Sequence, residues 1–209
     1  MTAVPLMIEL REQNVVIVGG GHVAERRIHS LLQGGASITV ISPVIEEGIR
    51  FHWEKGNLKW KKKYFESHDV DGAFLIVVAT NDSMVNESVI EASPPNSLIN
   101  AVAEADKGNV EFPAFFRRGK LTIGISTNGA SPQLSTKIKR DLQTVYSEKY
   151  EDYLDFLFES RQLIKKSTFD KMHQKLLLKE LLSDSFLDKN KQMKAMNWFG
   201  KLPKNEIMG

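Results

Sequence analysis

Residues Val15-Val16-Ile17-Val18-Gly19-Gly20-Gly21-His22-Val23-Ala24 constrain this chain more than any other stretch. Four β-branched residues in succession suit a strand buried on both faces, as in a parallel sheet. The glycines follow without a gap, and an apolar face of helical period begins at once with Ala24, Ile28, Leu31 and Leu32. Strand, glycine turn and helix N-terminus together make a seat for a pyrophosphate. Gly19 permits the tight turn, Gly21 lets the backbone approach the phosphates, and Ala24 is the small residue that lets helix and strand pack closely. The helix dipole and its unbonded N–H groups then favour the negative charge. A second strand, Ile38-Thr39-Val40-Ile41, completes the βαβ unit without which the glycine spacing is weak evidence. A glycine turn with a merely structural role is the alternative, and that context weighs against it.

The length of 209 residues leaves room for one domain or two small ones, and a hydrophobic content of 42% suffices for a core. Lys and Arg total 28 against 26 acidic residues, so the net charge of +2 carries no nucleic-acid signature. There are no cysteines. Disulfides, thiolate catalysis and Cys-ligated metals are thereby excluded, and a reducing cytoplasm is the expected location. No apolar run approaches the roughly 20 residues needed to span a bilayer, and the first ten residues lack the basic start of a secretory signal.

Leu6 to Leu10 is an apolar lead-in expected to start the sheet. Ser42-Pro43 ends the second strand, where most NAD-binding folds carry an acidic residue for the adenosine ribose. With Ser42 there the usual marker is silent, and the lack of a following Arg for a 2′-phosphate leans the choice towards NAD. Ile45 to Lys55 is expected to be helical, and Leu58-Lys59-Trp60 a short strand ahead of Lys61-Lys62-Lys63. That lysine run reads as a solvated edge, with a basic rim facing an acidic substrate as the sharper option. Ala73 to Ala79 is the most apolar strand and belongs in the centre of the sheet. It runs into Thr80-Asn81-Asp82, which both borders the ligand side of such a sheet and caps the helix starting near Met84.

Leu98 to Val102 is a further strand, followed by the polar loop Ala103-Glu104-Ala105-Asp106-Lys107-Gly108-Asn109. Its carboxylates Glu104 and Asp106 are candidates for proton transfer or, equally, solvated loop residues. Pro113 to Lys120 and Leu121 to Ser126 read as two strands joined at Arg118-Gly119, outside the α/β alternation. Ser126 and Thr127 can orient substrate carboxylates or cap the helix after Pro132, whose face carries Leu134, Ile138, Leu142 and Val145. Arg117, Arg118 and Lys120 are candidates for binding acidic groups or residues of a solvated turn. His22 is expected to meet a cofactor through its backbone, and the scattered histidines form no metal cluster, so no metal site is expected. From Tyr150 there is no glycine until Gly200 and no proline until Pro203, and the pattern is helical.

Val18-Gly19-Gly20-Gly21-His22-Val23-Ala24-Glu25-Arg26-Arg27, Val78-Ala79-Thr80-Asn81-Asp82, Phe112-Pro113-Ala114 and Ile125-Ser126-Thr127-Asn128-Gly129-Ala130-Ser131-Pro132 occur in one order and spacing. Together they resemble the precorrin-2 dehydrogenase family, whose members also form the N-terminal half of fused siroheme synthases. The resemblance implies NAD-dependent oxidation of precorrin-2 to sirohydrochlorin, with iron insertion added in some members. It implies cofactor contacts at His22-Val23 and Pro43-Val44, largely through backbone, and a homodimer in which the Pro113 to Tyr146 region crosses between subunits. The bifunctional members carry an aspartate where this chain has Ala103. That favours the dehydrogenase-only type and points by analogy to Asp106 as the base.

The combined expectation is an α/β chain in three parts. A Rossmann-type parallel-sheet domain spans 1–112, a small α+β dimerisation segment 113–148, and a helical C-terminal domain 149–209. Expected cofactor-binding residues are Gly19, Gly21, His22, Val23, Ala24, Pro43, Val44, Thr80 and Asn81, and Asp106 and Ser126 are the expected catalytic residues. A non-enzymatic NAD-sensing module is the other class, and it lacks the helix-turn-helix of a regulator.

Overall fold

The computed structural model describes residues 3–203, so residues 204–209 of the expected helical region lie outside it. The chain divides into two compact units, Met1–Phe112 and Pro113–Gly209.

The first unit is a five-stranded parallel sheet in the order β3-β2-β1-β4-β5, with β1 at Asn14–Val18, β2 at Ser37–Ile41, β3 at Lys59–Lys61, β4 at Leu75–Val78 and β5 at Leu98–Ala101. Val15 to Val18 are at most 2% exposed, which explains why the run shows no alternation of apolar and polar residues. Successive residues of β1 serve opposite faces. Val15 and Ile17 pack with Ala24, Ile28 and Leu31 of helix α1 (His22–Gln33) and Ile49 of α2 (Glu47–Glu54). Val16 and Val18 pack with Val70, Ile76, Val78 and Val89, the last from α3 (Ser83–Ala92). Burying each such side chain stabilises by about 1.5–3 kcal/mol, so β1 anchors both layers.

The sequence expectation is corrected at two places. Leu6 to Leu10 is not a strand: Leu6 and Met7 are exposed, and only Leu10 packs against the core. Among the described residues the segment pairs with no strand, and the sheet ends at β3 on one side and at β5 on the other. The apolar strand β4 is interior, flanked by β1 and β5, while the centre itself is β1.

Beyond β5 the chain turns back along the sheet edge. Asn109 and Val110 donate backbone N–H groups to the Ile99 carbonyl at 2.9 and 3.2 Å. The Asn109 side chain accepts from the Ile99 N–H at 2.6 Å and donates to the Ser97 carbonyl at 3.0 Å. A Cβ on Gly108 would come within 2.7 Å of the Ile99 oxygen, so glycine is required for this approach. Gly108-Asn109 thus covers the β5 edge, as sheet edges need to be covered.

The second unit opens with an antiparallel hairpin, β6 (Ala114–Arg118) and β7 (Leu121–Ile125), turning at Gly119 with φ of 51°. Helix α4 (Pro132–Val145) begins with the Ser131 side chain accepting from the Leu134 N–H and Pro132 in the first turn. Its expected apolar face is partly open: Leu134 is 46% and Val145 63% exposed, Ile138 and Leu142 are half-buried, and only Ser135 of the helix is buried. Helices α5 (Lys149–Lys166), α6 (Lys171–Glu180) and α7 (Lys189–Phe199) enclose a core of Tyr153, Phe156, Ile164, Leu181 and Phe199. The buried Tyr153 hydroxyl donates to the Leu181 carbonyl at 2.7 Å, tying α5 to the end of α6. No described helix is long and apolar enough to cross a membrane.

Candidate cofactor cleft

A cleft of about 680 Å³ opens at the carboxyl ends of β1, β2 and β4. This volume lies within the ~300–1,000 Å³ usual for ligand sites. The chain passes from β3 back across the sheet to β4, so β1 and β4 flank the point where strand order reverses, the place such sheets bind ligands. The cleft wall includes Gly19, Gly21, His22, Val23, Pro43, Val44, Thr80 and Asn81, eight of the nine residues expected from the sequence. The ninth, Ala24, is fully buried behind the wall in the packing of α1 on β1.

The three glycines have separate reasons to be glycine. Gly19 has φ of +121°, and a Cβ there would lie 2.3 Å from the Ala79 carbonyl oxygen. At Gly20 a Cβ would meet the Val44 carbonyl oxygen at 2.1 Å, a close approach that the sequence reading missed. At Gly21 nothing lies within 4 Å of the added atom. Gly21 is the N-cap of α1, and no side chain caps that helix. Its first amides are thus left without a side-chain acceptor at the cleft, the arrangement that the glycine spacing leads one to expect of an anion seat.

The second wall is the turn between β2 and α2. The Ser42 hydroxyl donates to the Val44 carbonyl at 2.6 Å, so the residue at the usual acidic position braces the turn. The Trp60 indole N–H donates to the Ser42 carbonyl at 2.9 Å. The third wall follows β4. Asp82 caps α3 by accepting from the Met84 and Val85 amides, and Thr80 donates to the Asn86 side chain at 2.6 Å, leaving Asn81 exposed.

Charges at the rim are specific. His22 lies 3.8 Å from Glu25 and 3.7 Å from Glu46 through its two ring nitrogens. Among the described residues these three are the one group of metal-type donors that lie together, within 4.8 Å of one another, and all three are solvent-accessible. On the far side Lys63 and Tyr64 line the cleft, brought there by the pairing of β2 with β3; Lys63 belongs to the lysine run whose second reading was a basic rim, and Tyr64 was missed. The lysine run is more than a solvated edge. Lys61 and Lys63 hold the two carboxylate oxygens of Asp69 at 3.0 and 2.9 Å, and the Asp69 side chain is wholly buried. Burial alone would raise the Asp69 pKa; the hydrogen bonds from Lys63, Lys61 and the Glu66 amide outweigh it and hold the carboxyl below its ordinary range. The hydrogen bond to Asp69 in turn raises Lys63 above its ordinary value, against desolvation.

The expected catalytic residues are not in this cleft wall. Asp106 lies exposed on a 3₁₀ turn, Ala105–Lys107, after β5. Glu104 in the same loop is held by Lys107 at 2.8 Å, and Lys107 also reaches Glu87 at 3.6 Å. The Glu104 hydrogen bond, with Glu87 adding to it, raises the Lys107 pKa against desolvation. Asp106 makes no side-chain hydrogen bond or ion pair among the described residues. Ser126 belongs to the second unit, exposed after β7, where its hydroxyl accepts from the Asn128 N–H at 3.1 Å. Thr127 accepts from the Ser131 N–H at 3.2 Å and donates to the Ser131 carbonyl at 3.1 Å, which makes it a turn residue. Lys120 is paired with Asp155.

Comparison with known proteins agrees with this geometry. A family model described as NAD(P)-binding matches residues 6–114, one described as sirohaem biosynthesis protein central matches 118–144, and one for the SirC C-terminal domain matches 150–195. The precorrin-2 dehydrogenase of Priestia megaterium is 42% identical over 182 residues, covering 87% of this chain and 90% of that protein. The precorrin-2 dehydrogenase of Bacillus subtilis is 34% identical over 158 residues, 76% of this chain and 98% of that one. A solved structure of SirC, precorrin-2 dehydrogenase, superposes with a TM-score of 0.83 at 38% identity, covering 95% of this chain and all of that one. This chain belongs to the precorrin-2 dehydrogenase family.

Proposed function

We propose that this chain oxidises precorrin-2 to sirohydrochlorin with NAD, a step of siroheme biosynthesis. The observation that carries the reading is the uncapped α1 N-terminus opening on a cleft at the sheet's switch point, in a chain of this family. Gly19, Gly21, His22 and Val23 seat the pyrophosphate, with Ala24 packed behind them. Pro43 and Val44 hold the adenosine side, and Thr80 and Asn81 border the nicotinamide side. The bound nicotinamide supplies a hydride acceptor at C4.

Oxidation removes a hydride and a proton, so a base is needed beside the cofactor. Asp106 takes that proton: of the two loop carboxylates it is the one that no lysine holds. Ser126, with Arg117 and Arg118 near it in sequence, holds carboxylates of the polyanionic substrate, while Lys120 is engaged by Asp155. Metal insertion is not part of this function, since the methyl group of Ala103 neither accepts a proton nor steers a cation.

Residues 1–112 then serve the cofactor and 113–148 dimerisation, with 149–209 as the C-terminal domain. The exposed face of α4 and a two-stranded sheet too small to be stable alone support a homodimer. The cysteine-free composition supports action in the cytoplasm, and the net charge of +2 supports a small-molecule partner over nucleic acid.

The test is one absorbance experiment with purified protein, precorrin-2 and NAD, followed by cobalt or ferrous ions. One NADH forms per sirohydrochlorin, and the metal then enters no faster than without protein. Asp106→Asn keeps NAD binding and slows oxidation by about 10²–10⁴, the usual cost of losing a general base. A wild-type rate in that variant removes Asp106 from the mechanism, and a wild type that makes no NADH removes the function.

A further inference from the structure

Ser42 stands where an acidic residue would usually choose between NAD and NADP, and its hydroxyl is spent on the Val44 carbonyl. Any discrimination at the adenosine side must come from elsewhere. Of the residues lining the cleft, Lys63 is the one permanent cation, while Glu46 and Asp82 are acidic. It sits at the adenosine side, two residues past β3, whose Lys61 carbonyl accepts the Ser42 N–H at 3.3 Å. A lysine at that place is what a 2′-phosphate would need.

That lysine is already engaged. Its Nζ lies 2.9 Å from Asp69 Oδ2 and 3.1 Å from Glu66 Oε2. Asp69 Oδ1 is taken by Lys61 at 3.0 Å, and Oδ2 also accepts the Glu66 N–H at 3.0 Å. Lys61, Lys63, Glu66 and Asp69 form a quartet with no net charge. Asp69 has no side-chain exposure, and Lys61 and the Glu66 N–H fix its two oxygens, so the carboxylate is held where it pairs with Lys63.

We infer that Asp69 sets the cofactor preference of the cleft: it holds Lys63 in place and withholds the cation that a 2′-phosphate requires, so NAD is favoured over NADP. The inference rests on the reading of the cleft as a dinucleotide site. Asp69 itself does not line the cleft and acts through Lys63, as a positioning residue.

The test is calorimetric titration of the full chain with NAD and with NADP at one fixed ionic strength, since ion pairing at a surface depends on salt. Wild type binds NAD more tightly. Asp69→Asn improves NADP affinity by about tenfold, the equivalent of ~1.4 kcal/mol, with NAD affinity changed less than about threefold. Adding Lys63→Met to Asp69→Asn removes the gain, as a coupled pair requires. An unchanged ratio of the two affinities in folded Asp69→Asn overturns the inference, as does a gain that survives Lys63→Met. Should Asp69→Asn lack a cooperative unfolding transition, Glu66→Gln decides: its exposed side chain holds the same lysine, so the ratio moves the same way by about two- to threefold, and no movement overturns the inference. A wild type that binds both nucleotides equally defeats this inference alone. One that binds neither defeats the dinucleotide reading as well.

Discussion

The two units close their apolar surfaces in different ways. In the first, the sheet is covered on both faces, β1 is at most 2% exposed from Val15 to Val18, and the chain folds Gly108-Asn109 back over the β5 edge. In the second, the helices enclose a core of their own, but a two-stranded sheet and a helix with Leu134 and Val145 open to solvent stand beside it. The first unit closes its sheet within one chain, although Phe51, Trp53 and Tyr64 stay exposed at its surface. The second leaves Leu134 and Val145 of α4 open, and that difference supports the proposed division of cofactor binding and association between them.

The strongest way to break the first unit is at its tightest backbone contact. Gly19→Val combines a φ of +121° with a Cβ 2.3 Å from the Ala79 carbonyl oxygen, and neither strain has a flexible side chain to absorb it. We expect a loss of about 4 kcal/mol or more in denaturant unfolding. A loss below about 1 kcal/mol would mean that the β1–β4 approach is slack.

Next in size is the Asp69 clamp. Asp69→Asn removes a wholly buried charge from two lysines, one of which is 49% exposed, so the cost is about 2 kcal/mol, below the ~3–5 of a pair buried on both sides. The pH dependence has a defined sign. The folded carboxyl lies below its unfolded value, so its contribution is complete above the unfolded carboxylate range near ~4 and disappears as pH falls through the folded value. Unfolding measured between neutral pH and strong acid should converge for wild type and variant at the acid end. In the second unit Asp170, the N-cap of α6, is also lowered, through hydrogen bonds from the His173 backbone and side chain. Its side chain is 62% exposed, so Asp170→Asn should cost less than Asp69→Asn and show a shallower acid dependence.

How much of this could be read from the sequence follows from how local each feature is. The glycine turn and its helix are contiguous, so the strand–turn–helix that lines the cleft was legible from residues 15–24, and α3 announced its cap through Asp82. Lys63 and Tyr64 reach the cleft only because β3 pairs with β2, and no periodicity near residue 63 carries that information. The Asp69 clamp left a faint trace: a carboxylate six residues beyond a run of three lysines, in a segment that forms only the short 3₁₀ turn Ser67–Val70. The lead-in at Leu6 to Leu10 misled because an apolar run of strand length says nothing about whether an edge is free to receive it.

A smaller effect on stability, but a larger one on assembly, is expected on α4. Leu134→Asp with Val145→Asp adds charge to positions already exposed, so thermal unfolding of the isolated chain should hardly move. Light scattering at micromolar concentration should show the dimer mass for wild type and the monomer mass for the variant. A wild type that is monomeric there removes the association role from the second unit.

The smallest change in stability belongs to the most informative variant. Gly21 has a negative φ of −88° and nothing within 4 Å of an added Cβ, so Gly21→Val should unfold within about 1 kcal/mol of wild type. The same side chain would stand in the mouth of the α1 amides, the proposed place of the pyrophosphate. Calorimetric titration of folded Gly21→Val with NAD should therefore show binding weakened by about a hundredfold or more, the cost of displacing charge-assisted hydrogen bonds. NAD affinity equal to that of wild type would contradict the assignment of this cleft as the cofactor site.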